Sequence, residues 1–163
     1  MRGVLAIATV LAVITVPLAL AADTPADGTL SVKRGRGTVV LKLKGTVIGR
    51  VARNGRVQVR DFRPFDANLP QLTCKPHARR IAAGTWLCKG RNIAFRIDKG
   101  RFNVNVRGTN ISISAVGHGN VTVDGAGDLG MNDGTMSIDS APYESLPDFS
   151  TTFYLGTPPP PRG

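Results

Sequence analysis

The chain has little of what catalysis or a cofactor would need. Its 163 residues include two cysteines, two histidines and one tryptophan. There is no nucleophile elbow, Ser-x-x-Lys, His-Glu-x-x-His or phosphate-binding loop, so the common hydrolase, zinc-protease and nucleotide-binding signatures are excluded. Past residue 22 no apolar run is long enough for a membrane-spanning helix. Basic residues are missing from 108–161, where six acids stand. That rules out an evenly basic chain. Aromatics make up 6% of the residues, and Phe95 and Phe102 fall at core positions, so the stacking platform of a single-strand nucleic-acid binder is not evident. No specific nucleic-acid partner and no cofactor are expected.

What is present begins with Arg2, an apolar run from Val4 to Val16, Pro17 and Ala19-Leu20-Ala21. A positive residue, an apolar stretch and an A-x-A site form the pattern of a secretory signal peptide, with cleavage expected after Ala21. The 4–22 stretch is nearly long enough for an anchor, but Pro17 and the cleavage site favour removal, which would leave no transmembrane span. The expected product is secreted or associated with the cell envelope. The expected organisation is a signal peptide over 1–21, one β-domain over 22–155 and a proline-rich tail over 156–163. An even cysteine count in an exported chain predicts a Cys74–Cys88 disulfide. A zinc site on Cys74, His77 and Cys88 is the rival, and it lacks a fourth ligand.

Apolar and polar residues alternate with the period of half-buried strands. The inward set is Leu30, Val32, Val39, Leu41, Leu43, Val47, Val51, Val57 and Val59, then Ile93, Phe95, Ile97, Phe102, Val104, Val106, Ile111, Ile113, Ala115, Val121 and Val123. Residues 30–61 align with 93–125 through one extra residue near Asn110. Gly37 falls on Gly100, Gly45 on Gly108 and Gly55 on Gly119. These features predict an all-β fold, an antiparallel sandwich or barrel of two tandem four-stranded repeats over about 28–62 and 92–125. A connection over 63–91 would carry the cysteines, and C-terminal strands would lie within 126–155. A short β-solenoid is the alternative. Asn54-Gly55 reads as a type I′ hairpin turn, and Lys99-Gly100, Arg107-Gly108 and His118-Gly119 as further tight turns.

Gly28-Thr-Leu-Ser-Val32, Gly35-Arg-Gly37, Gly45, Gly55-Arg-Val57 and 137–147 (SIDSAPYESLP) resemble an uncharacterised family of exported β-rich proteins from high-GC Gram-positive bacteria. The resemblance implies export and carries no activity.

Charge is the functional clue. From Lys33 to Arg107 there are nineteen Lys and Arg against three acids. Strand residues two apart share a face, which places Lys42, Lys44, Arg50, Arg60, Arg96 and Arg107 on outward stripes suited to an anionic envelope polymer or an anionic lipid surface. The function expected is a non-enzymatic structural or binding module at the cell envelope. A self-associating β assembly is one alternative. Another is a hydrolase built on His77 or on His118 with Asp124. Asp124, Asp128 and Asp133 are oxygen ligands in a glycine-rich stretch, but they miss the EF-hand spacing, so no metal is expected.

Overall fold

The computed structural model describes residues 26–65, 69–75, 77–127 and 133–158. The proposed signal peptide, Asp128 and residues 159–163 of the tail lie outside them. Among the described residues there is no helix, hence none long and apolar enough to cross a membrane. Seven strands among the described residues run in the order β1 (Gly28–Asp61), β2 (Gln71–Lys75), β3 (Arg79–Ala82), β4 (Thr85–Gly125), β5 (Thr135–Ile138), β6 (Glu144–Ser145) and β7 (Thr151–Leu155). All pairings are antiparallel, which removes the solenoid alternative.

β1 and β4 are far longer than an ordinary strand of about 5–6 residues, and their register explains why. Each bends repeatedly, and successive legs take different partners. Val39 pairs with both Val106 and Val123, and Val57 with both Cys88 and Val106. Val47 instead pairs with Ile97 and Ala115, and Val51 with Ile93 and Ile111. The single sheet therefore divides into two leaves joined through the bends. Across the first leaf the neighbours are β7, 118–125, 37–45, 100–108, 55–61, 85–90 and β3. Across the second they are β2, 93–97, 46–51, 109–117, 28–32, β5 and β6. β7 and β3 end one leaf, β2 and β6 the other, so the sheet is not closed into a barrel.

All twenty inward positions expected from alternation are buried, at 3% exposure or less, and they join one core cluster. Met136 and Leu155, from the added strands β5 and β7, complete it. Burial of each Val, Leu, Ile or Phe side chain contributes about 1.5–3 kcal/mol, and this shared core holds the leaves face to face.

The bends are glycine corners. Gly45 and Gly117 oppose one another in the pairing, at φ 159° and 153°. A Cβ on Gly45 would lie 2.1 Å from the Val116 carbonyl oxygen, and one on Gly117 would lie 2.4 Å from that of Lys44. Two segments of the chain pass back to back there, and only glycine fits.

Asn54-Gly55 is a corner too, not the expected hairpin turn. Asn54 has φ 39° while Gly55 stays outside the positive-φ region, whereas a type I′ turn needs positive φ at both central residues. The residues on either side pair in different leaves. A positive-φ residue serves a sheet-switching bend as well as a turn, and of this pair Asn54 alone takes that conformation. Lys99-Gly100, Arg107-Gly108 and His118-Gly119 are likewise bends inside β4, not hairpin turns. The two aligned segments accordingly build no separate four-stranded modules. Legs of 28–61 pair with legs of β4 or with β5, never with each other.

The Cys74–Cys88 disulfide joins β2, on the edge of the second leaf, to the 85–90 leg of the first, with Cα atoms 6.3 Å apart. It therefore links the two leaves. With both thiols consumed, the zinc reading of Cys74, His77 and Cys88 fails.

Candidate anion-binding faces

All six cations singled out from the sequence are exposed, but they do not share a face. Lys42, Lys44, Arg60 and Arg107 stand on the outside of the first leaf, and Arg50 and Arg96 on the outside of the second. Each glycine corner carries the chain to the opposite leaf, so outward residues of successive legs alternate between the two sides of the molecule.

On the first leaf the register sets cations side by side. One row across the strands reads Asp124, Thr38, Arg107, Arg56, Lys89, with Arg56 directly opposite Arg107 on one side and Lys89 on the other. A second reads His118, Lys44, Arg101, and a third Asn120, Lys42, Asn103, Arg60, Thr85. Like charges directly opposite each other destabilise a sheet, and neighbouring strands are about 4.8 Å apart. The Phe62 ring collects two of these cations, with the Arg60 and Arg101 guanidiniums 5.1 Å and 5.4 Å from its centroid. Among the described residues no carboxylate forms an ion pair with Lys42, Lys44, Arg56, Arg60, Lys89, Arg101 or Arg107. The first row borders a basin of about 620 Å³ whose lining includes Arg56, Lys89 and Arg107, and also Asp124 and Asp148.

Arg56, Lys89 and Arg101 were not singled out from the sequence, although parity offered a signal. Each adjoins a buried residue, Val57, Cys88 or Phe102, and so must point outward.

The second leaf carries Arg50 and Arg96 in a different setting. Arg96 Nε donates to Asp98 Oδ1. On the rim of this face the Lys33 ammonium sits 3.8 Å from the Tyr143 ring centroid, and the Tyr143 hydroxyl donates to Ser31 Oγ at 2.8 Å. Hydrogen bonding to Lys33 first, and then to Ser31, holds the exposed Tyr143 phenol below its ordinary pKa.

The enzymatic candidates are not brought together. His118 Nδ1 contacts Asp27 Oδ1 at 2.9 Å, while Asp124 pairs with Thr38 at the other end of its leg. The His118–Asp124 pairing that the hydrolase alternative would use is not formed. His77 is exposed between β2 and β3. Of the calcium candidates, Asp133 is buried, with Oδ2 accepting from the Gly127 N–H at 3.1 Å and Oδ1 without a hydrogen-bond partner among the described residues. Among the described residues no three His, Cys, Asp or Glu side chains group as metal ligands.

No protein-family model, curated protein or solved structure matches the chain.

Proposed function

We propose that the chain is an exported, non-enzymatic binding module of the cell envelope, which holds an anionic polymer across the outer face of its first leaf. The observation that carries this reading is the row Arg107, Arg56, Lys89, three cations on adjacent strands with no acid between them. Such a row costs stability in the free protein, and a polyanion laid across it turns that cost into binding through release of its counterions. A row of point charges at strand spacing fits a linear phosphate- or carboxylate-bearing polymer, with Lys44 and Arg101 as a second contact. Export is supported by the disulfide, since such bonds persist in oxidising compartments, and by the N-terminal signal pattern. Self-association is the weaker reading: edge strands β3 and β6 are short, and β3 carries Arg79 and Arg80, features that blunt pairing between edges.

The test is binding to inorganic polyphosphate across a salt series, with anionic vesicles as a second arm. Affinity should fall steeply with salt. Replacing Arg56, Lys89 and Arg107 together by Gln should flatten the slope of log K against log salt by about 2, at roughly 0.7 per charge as for a single-stranded polyanion. Affinity unchanged between low and high salt would end the polymer reading, and tighter binding to vesicles than to polymer would replace it with a lipid surface.

A further inference from the structure

The outer face of the second leaf carries a feature unlike the rows of the first. Two neighbouring rows read Ser31, Ser114, Ile48, Arg96, Gln71 and Ser112, Arg50, Ala94, Thr73. Ile48, which is exposed, and Ala94 form the other diagonal beside the two arginines, serines and Thr73 lie further out, and the surface sinks into a depression of about 560 Å³ lined by these residues. Arg50 is directly opposite Ala94 and so diagonal to Arg96, a relation of about 7–8 Å that long side chains can span. Asp98 holds Arg96 through Nε, and the terminal nitrogens of that guanidinium have no hydrogen bond among the described residues. Lys33, at the rim, is engaged by the Tyr143 ring.

Two arginines set diagonally on neighbouring strands, with hydroxyls and one amide around them and the apolar Ile48 and Ala94 beside them, match one ligand chemistry well. We propose that this depression binds a short run of hexuronate units of an acidic polysaccharide, with Arg50 and Arg96 taking one carboxylate while Ser112 and Ser114 on one side, and Thr73 and Gln71 on the other, face hydroxyls of successive units along a row, Ser31 to Gln71, that spans about 19 Å at strand spacing. Arginine forks suit planar carboxylates. A bare phosphate would need only the cations and would leave the hydroxyl floor unused. A neutral sugar would not call for two arginines. A nucleotide base would need an aromatic platform at the floor, and the exposed floor offers none. This site lies on the opposite leaf from the polymer face proposed above and stands independently of it.

The experiment is a titration of the isotope-labelled chain with digalacturonate, alongside neutral galactobiose and inorganic phosphate, followed by amide chemical shifts. Digalacturonate should move the resonances of Arg50, Arg96, Ser112 and Ser114 and leave those of Arg56 and Arg107 in place. Arg50→Gln and Arg96→Gln should each weaken binding about tenfold or more, as expected for loss of a charge-assisted hydrogen bond. An Arg56→Gln/Arg107→Gln chain should bind digalacturonate unchanged, even where it has lost polyphosphate. Equal shifts from galactobiose or from phosphate alone, or shifts confined to the first leaf, would overturn the proposal. Should a variant fold poorly, the shift map on the unaltered chain decides the question.

Discussion

Arg56→Gln should stabilise the free protein at low salt and weaken it as a binder, two opposite effects of one charge. Arg56 has Arg107 opposite on one side and Lys89 on the other. A like-charge pair directly across strands costs about 0.2–1 kcal/mol. Coulomb's law in water gives a similar figure, about 0.6 kcal/mol for heads splayed to roughly 7 Å. Two such pairs are relieved, so the gain should be about 0.4–2 kcal/mol, less a few tenths for the long 3.4 Å contact from Arg56 Nη2 to Gln58 Oε1. Lys89→Gln and Arg107→Gln each relieve one of these pairs and should gain about half as much. The assay is urea unfolding, because guanidinium would itself screen the charges. It should be run near 0.02 M and again at 1 M salt, where the screening length falls to about 3 Å and the gain should vanish. With polyphosphate present the order should reverse, since ligand at a hundred times its dissociation constant adds about 2.7 kcal/mol to the chain that binds it. A destabilised Arg56→Gln chain at low salt, or a difference that ignores salt, would refute the argument that the row is held against repulsion.

Two further perturbations test the architecture. Replacing Cys74 and Cys88 together by Ala opens a loop with a sequence separation of 14 and should cost about 3 kcal/mol, read as a lowered urea midpoint; an unchanged midpoint would mean that the core alone fixes the leaves. Gly49→Ala places a Cβ 2.1 Å and 2.4 Å from carbons of the Phe95 ring, which is 2% exposed and hemmed in by the core. Overpacking there should cost about 1–3 kcal/mol, and Phe95→Leu in the same chain should recover part of the loss; an unaltered melting temperature in Gly49→Ala would show that the ring moves freely.

The core was legible in the sequence because alternation depends only on the residue itself and its neighbours two apart. A strand buried on one face must show that period, whatever it pairs with, and every residue from Leu30 to Val123 assigned inward is buried. The disulfide was legible for a similar reason, since two cysteines leave one pairing. The connectivity was not. Gly45, Asn54-Gly55 and Gly108 announce positive φ or close approach, and local sequence does not say whether the chain then doubles back beside itself or turns a corner into the facing leaf. That choice is decided by pairing over long separations, as between Arg60 and Thr85 or Gly28 and Gly117.

The candidate sites were harder to read because they run across strands. Lys42 and Lys44 could be placed on one face from the sequence, since residues two apart along a strand share a side. The row Arg107, Arg56, Lys89 could not, because its members come from three legs and meet only through register. The corners add a second ambiguity. Each inverts which leaf an outward residue decorates, so Arg50 and Arg60, ten positions apart on β1, look out from opposite sides of the molecule. A hairpin topology would have kept the basic residues of one segment together on one sheet. The interleaved topology divides them between a crowded row of like charges on the first leaf and a hollow on the second, where two arginines stand diagonally among short polar side chains and Ile48.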